Sequence, residues 1–286
     1  MPPRYYFAFG LRIESELRLW GPAETEAGPA EIAVCRGVLT RWQGLRRRPG
    51  EILLGLGQLA TFACREGRCI TVDACPGADE TLLSAYILGV CMAALLYQRG
   101  QLLLHGSCVV HNGRGLLLAG PSGAGKSTLA RAFMAQGWRL ATDDLSCVVM
   151  DGTPCVQAAC GAQMLWQDAA ARWGLSGVPL PREERGQRLL VDASAQAVKG
   201  RVPLEAIVWL EPGAPDCCVP LTGDAGRQCL TRCLYKPQLL TEAQRDSLLH
   251  RCAALAAHTP VYHCGRSAAA TPEATQSLLA AALAWT

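Results

Sequence analysis

Apolar and polar positions change rhythm twice along the chain. In the first third the apolar runs are short and broken by Gly and Pro. Leu11, Ile13, Leu17 and Leu19 stand among polar neighbours, and further runs fall at residues 32–34, 52–54, 59–63 and 69–72. Runs of that length bounded by turn residues predict strands, here a small antiparallel sheet. Residues 21–30, rich in Gly, Pro, Ala and Glu, read as a loop. A continuous apolar stretch then begins near Glu80 and ends at Gln98. Its apolar part, residues 82–97, falls short of the roughly 20 residues a bilayer requires and contains Ser84, Tyr86 and Gly89, so a buried core helix is expected rather than a membrane span.

From residue 102 the runs lengthen. Residues 102–110 form an apolar strand interrupted by His105-Gly106, Asn112-Gly113 predicts a turn, and residues 115–119 form a second, wholly apolar strand. Residues 126–136 carry Leu129, Ala130, Phe133 and Met134 on one helical face, and Gly137 ends that helix. Short strands are expected at 139–142, 146–150, 207–210 and 260–264. Helices are expected at 163–173, 226–235, 241–257 and 272–284, and a polar loop at 176–188. The expectation is therefore a small N-terminal β-rich domain over 1–98 and an α/β domain over 99–286.

Composition narrows the functional classes. Half of the 286 residues are hydrophobic and 18% are charged, a globular balance, and the net charge of +3 comes without a basic stripe, which argues against nucleic acid. Arg46-Arg47-Arg48 before Pro49-Gly50 reads as a solvated loop. The fifteen cysteines include no C-x-x-C pair and mostly sit among Ala, Val and Leu, so they read as small apolar side chains in a reducing, cytoplasmic setting.

The chemistry concentrates at Gly120-Pro121-Ser122-Gly123-Ala124-Gly125-Lys126-Ser127, a full match to G-x-x-x-x-G-K-[ST] placed between an apolar strand and a helix. Glycines let backbone N–H groups turn inward around phosphate, and the start of the helix, with Thr128 in its first turn, adds partial positive charge. Lys126 is expected to reach the β and γ phosphates of ATP, and Ser127 to bind Mg²⁺. Asp143-Asp144 follows that helix directly and precedes a strand. Two carboxylates beside phosphate suit a metal ligand and a proton acceptor, whereas by themselves they also fit a polar turn. His105 lies one hairpin before the loop and either orients a carboxylate or phosphate or is a satisfied strand histidine. Arg185 and Arg188 either close over phosphate as lid arginines or occupy a solvated face.

Leu104-His105-Gly106, Gly115-Leu116-Leu117-Leu118-Ala119-Gly120, the phosphate loop and Trp138-Arg139-Leu140-Ala141-Thr142-Asp143-Asp144 together resemble HPr kinase/phosphorylase. Glu183-Glu184-Arg185-Gly186-Gln187-Arg188 echoes that family's Glu-x-Arg-Gly signature, and residues 202–211 look like a later core strand of the group. The resemblance implies an α/β P-loop kinase domain of the HPr kinase/phosphoenolpyruvate carboxykinase type. The whole-chain layout is similar to the kinases of lasso-peptide gene clusters, which phosphorylate a serine at the end of a precursor peptide. By resemblance Asp144 is the base, Asp143 the metal-side acid and His105 their neighbour, with a peptide as partner and homo-oligomer assembly open. Two alternatives stand beside this reading: a kinase of HPr or a small metabolite, and a nucleotide-binding regulator without catalysis.

Overall fold

A computed structural model describes residues 2–181 and 184–284. The N-terminal section folds as one eight-stranded sheet built from β1 (Arg4–Ala8), β2 (Leu11–Ser15), β3 (Ala23–Glu24), β4 (Ile32–Arg36), β5 (Gly44–Arg48), β6 (Glu51–Leu56), β7 (Ala60–Arg65) and β8 (Cys69–Ala74), ordered β3-β1-β2-β4-β8-β7-β6-β5. It is mixed rather than antiparallel, because β4 pairs in parallel with both β2 and β8. The basic run 46–48 is not a loop. It forms the edge strand β5, where arginines solvate the open edge against further pairing and Arg47 donates to the Leu240 carbonyl.

The apolar stretch after β8 is a helix in three parts: α1 (Glu80–Tyr86), a π-helical turn at Ile87–Cys91, and α2 (Met92–Gln98). Asp79 caps its start by accepting from Leu82 N–H. The helix is long and apolar enough to cross a bilayer by composition alone, yet 61% of it is buried inside the fold. It lies between two bodies: Met92, Leu95 and Leu96 share one core with Phe62 and Ile70 of the first sheet and with Leu102–Leu104 of the second. Covered on more than one face, it needs no polar stripe.

The second body is organised by two long strands. β9 (Leu102–His111) and β17 (Arg201–Pro212) each serve two sheets. Their first halves pair with β12 (Leu145–Val149) and β13 (Cys155–Gln157), and their second halves flank β10 (Arg114–Ala119), which runs antiparallel to β9 and parallel to β17. The sheet continues from β17 through β19 (Val261–Arg266), parallel to it, to β18 (Cys217–Leu221), and β11 (Arg139–Thr142) pairs with β9. Leu116, Leu117 and Leu118 are fully buried on both faces, which explains the unbroken apolar run. α3 (Lys126–Ala135) and α7 (Pro272–Ala282) cover one face, and α5 (Gly223–Arg232) and α6 (Glu242–His258) pack into the core shared with the first sheet.

Residues 163–173, expected to be helical, divide into a strand, β14 (Ala162–Trp166), and a short helix, α4 (Gln167–Arg172). Met164, Leu165 and Trp166 fit either period, and pairing along the whole of β14 with β16 (Arg188–Asp192) decides for the strand. The expected polar loop over 176–188 contributes β15 (Val178–Pro179) to the same small sheet, and Glu183 lies outside the described residues. The fifteen cysteines are all free, and burial pushes the thiols of Cys108, Cys147, Cys252 and Cys264 up to about 12, as for apolar filling.

The point where β9 passes from one sheet to the other is Gly106. A Cβ there would stand 2.7 Å from the Leu118 carbonyl oxygen and 2.8 Å from Leu117 Cδ1. Gly106→Ala should therefore cost about 1–3 kcal/mol, read as a lower urea midpoint at unchanged m-value, because backbone rather than a flexible side-chain end must move.

Candidate functional site

The glycine loop, residues 120–127, joins the end of β10 to the start of α3. Gly123 and Gly125 have φ of 83° and 86°, a left-handed conformation that disfavours side chains. Gly120 approaches β17 closely, since a Cβ there would lie 2.7 Å from the Leu210 carbonyl oxygen. Pro121, Ser122 and Gly123 form an exposed tip, Ala124 is buried, and Ser127 and Thr128 are half-buried in the first turn of α3. Lys126 is buried, and its ammonium donates to the Gly120 and Pro121 carbonyls at 3.1 and 3.0 Å. Burial lowers its pKa, against an opposing pull from the charges of Asp144 and Asp143.

Those carboxylates follow β11. Asp144 has φ of 66°, and the Leu145 N–H donates to the Asp143 carbonyl at 2.8 Å across it, a tight three-residue turn. A non-glycine residue held there stores about 1–3 kcal/mol of strain, a cost found where function dictates side-chain direction. The turn aims the two acids at different partners. Asp143 accepts from Ser107 Oγ at 2.5 Å and from the Met164 N–H at 2.8 Å. Asp144 is approached by His105 Nε2 at 3.1 Å and accepts from Tyr235 Oη at 3.0 Å.

The environments push the pair apart. For Asp143 burial dominates and raises the pKa, with the hydrogen bonds from Ser107 and Met164 opposing it. For Asp144 burial also raises the pKa, but the hydrogen bond and charge of His105, the Tyr235 hydroxyl and the Lys236 charge together outweigh it and hold the carboxyl below its usual value. Adjacent carboxyls separated in this way can take different roles. The oxygen donors also fit a hard cation. Asp143 feels the Ser127 hydroxyl, and Mg²⁺ characteristically takes one or two protein oxygens and completes its shell with phosphate and water. Among the described residues no group of three or more His, Cys, Asp or Glu is arranged to hold a metal unaided.

Of the residues singled out from sequence, the structure brings His105 onto Asp144 and sets Lys126 within electrostatic reach of both acids. Arg185 stacks on Trp166, its Cζ 4.8 Å from the ring centre, and its Nη1 lies 2.9 Å from where a Cβ on Gly123 would be. Arg188 sits 5.5 Å from the same ring. Several neighbours escaped sequence reasoning. Ser107 was legible, being two residues from His105 on a strand and therefore on the same face. Tyr235 and Lys236 come from a segment whose backbone joins β9, with the His105 N–H donating to the Cys233 carbonyl at 2.6 Å and the Tyr235 N–H to the Leu103 carbonyl at 3.0 Å. Gln163 braces α3 by accepting from Arg131 Nε at 2.9 Å and donating to the Ser127 carbonyl at 2.9 Å. Arg266, at the carboxyl end of β19, donates to the Ala124 carbonyl at 2.7 Å and lies against Gly125. No local pattern marks these three segments.

The family model of the SynChlorMet cassette protein ScmC matches residues 72–160, less than half of the chain but a segment containing His105, the glycine loop and both acids. No curated protein matches the sequence. Among solved structures, the Hpr(Ser) kinase/phosphatase from Coxiella burnetii is distantly similar, with a TM-score of 0.35 and 12% identity over 63% of this chain and 95% of that one.

Tyr235→Phe deletes a hydrogen bond to a charged carboxylate and should cost about 1.5–3 kcal/mol near neutral pH. Asp144 has a lowered folded pKa, so its contribution is present above the ordinary carboxylate pKa and lost as pH falls through the folded one. The stability gap between Tyr235→Phe and wild type should accordingly narrow in acid, in denaturant titrations at stepped pH.

Proposed function

We propose that the chain is an ATP- and Mg²⁺-dependent kinase that phosphorylates a serine hydroxyl of a peptide, with the C-terminal serine of a lasso-peptide precursor as its acceptor. The observation that carries this reading is the pairing of a glycine loop and buried lysine with two carboxylates of divergent acidity, one of them aimed by His105 and Tyr235. A simple nucleotide switch has no need of a strained, ionised carboxylate beside the phosphates, whereas phosphoryl transfer to an alcohol needs a proton acceptor there.

On this reading residues 120–128 cradle the polyphosphate, Lys126 exchanges its two loop carbonyls for phosphate oxygens, and Arg185 approaches from above Gly123. Ser127 and Asp143 hold Mg²⁺, which neutralises phosphate charge. Asp144 takes the serine proton as the serine oxygen bonds to the γ-phosphorus, and the bond to the β-phosphate oxygen breaks with its electron pair leaving on ADP. His105 and Tyr235 are positioning residues that fix the direction of the Asp144 carboxylate. Residues 1–98 act as a domain that helps to receive the acceptor, residues 99–286 as the kinase domain, and the enzyme works in the cytoplasm, where ATP is supplied.

Lys126→Ala should abolish transfer and weaken MgATP binding in calorimetry. Asp144→Asn tolerates the left-handed backbone and should leave MgATP binding within about threefold while lowering phosphopeptide formation by about 10²–10⁴-fold. Near-normal turnover by Asp144→Asn removes it as the base. MgATP binding by wild type with no phosphorylated product from any serine peptide removes the peptide-kinase reading.

A further inference from the structure

Beside the two acids runs a narrow crevice of about 60 Å³, walled by Phe9, Trp20, Leu88, Gly89, Met164 and Leu190, with Asp143 and Asp144 along it. Those six walls come from three parts of the fold: the connections β1–β2 and β2–β3 of the first sheet, the π-helical turn, and the small sheet containing β14 and β16. Sites for nucleotides and other drug-sized ligands run to about 300–1,000 Å³. This space instead matches something on the order of one aliphatic side chain.

Two features mark it as more than a packing defect. The segment that carries Trp20 is tied to the helix, since the Trp20 backbone N–H donates to Ser84 Oγ of α1 at 2.7 Å. The helix also spends a glycine there. Gly89 has no left-handed φ to explain it, and a Cβ at that position would meet only the Tyr235 hydroxyl, at an ordinary 3.7 Å. Glycine inside a helix is disfavoured relative to alanine, and π-helical turns are frequent at functional sites. Gly89 keeps open the space next to the hydroxyl that donates to Asp144.

The charge pattern selects the occupant. Among the described residues the crevice is lined by no Lys, Arg or His, and its charged groups are the two carboxylates. An anionic group would meet repulsion with no cation lining the space, and a cationic one would have to leave water for mostly apolar walls. We propose that this crevice is the acceptor subsite, and that it takes an uncharged aliphatic side chain adjacent to the serine, thereby presenting the hydroxyl to Asp144. The inference rests on the kinase reading above and adds a sequence preference to it: an apolar residue next to the phosphorylated serine. Gly89 is the specificity-determining residue.

The test uses the full chain, MgATP and three synthetic peptides ending in serine that differ only in the preceding residue: Leu, Ala or Asp. Burying one aliphatic side chain corresponds to about a ten- to hundredfold preference, so the Leu peptide should show a KM lower than the Asp peptide by that factor. Gly89→Leu fills the space and should raise the KM for the Leu peptide at least tenfold while leaving MgATP affinity within twofold. Gly89→Ala, which favours the helix, should keep the wild-type melting temperature or exceed it and show a smaller rise in KM. A serine-to-alanine version of the Leu peptide, titrated in MgADP, should bind wild type and lose affinity for Gly89→Leu, a readout independent of transfer. Equal KM values for the Leu and Asp peptides, or unchanged peptide binding by both folded Gly89 variants, overturns the subsite while leaving the kinase intact. MgATP binding without transfer to any of the peptides, and no peptide binding in MgADP, overturns both.

Discussion

Two carboxylates on consecutive residues, drawn half out of water, repel each other, and the local architecture is organised around making that tolerable. Removal of one charge from water costs several kcal/mol before any neighbour is considered. Asp143 meets this with the Ser107 hydroxyl and the Met164 N–H, which belong to different sheets. Asp144 meets it with His105 and Tyr235, which belong to β9 and to the segment after α5. The three-residue turn between the acids separates their directions, and the separation keeps each set of donors from serving the other. The glycine loop, the sheet crossing at Gly106 and the docking of residues 233–236 all fix groups within this one network.

Residues whose meaning is local were legible in the amino-acid sequence. The glycine loop declares itself because its requirements, positive φ at Gly123 and Gly125 and a lysine at the head of a helix, are met by consecutive residues. The pair Asp143-Asp144 and the strand break at His105-Gly106 could be picked out for the same reason, and the long apolar helix from Glu80 was placed within its true bounds. What failed depended on partners far along the chain. β14 was read as helix because its apolar residues fit both periods until β16 is laid beside it. β4 is parallel to its neighbours, which no short-range pattern encodes. Tyr235, Gln163 and Arg266 reach the site from 91, 19 and 122 residues beyond Asp144 and carry no signal in their own surroundings.

The N-terminal sheet is not an appendage in this arrangement. Its core residues Phe62 and Ile70 share one continuous apolar cluster with Leu102, Leu104 and Leu117 through the helix that follows β8. That helix is apolar on most of its surface because it is covered from two sides, which is also why its composition mimics a membrane span. The strand that joins this cluster, β9, also carries His105 and Ser107.

The self-contacts of Lys126 have a consequence for how strongly the loop can hold anything. Its ammonium is already solvated by the Gly120 and Pro121 oxygens, so an incoming anion gains only the difference between two sets of charge-assisted bonds. The same contacts spare the buried ammonium from standing bare in a low dielectric, and they tie the shape of the loop to the head of α3.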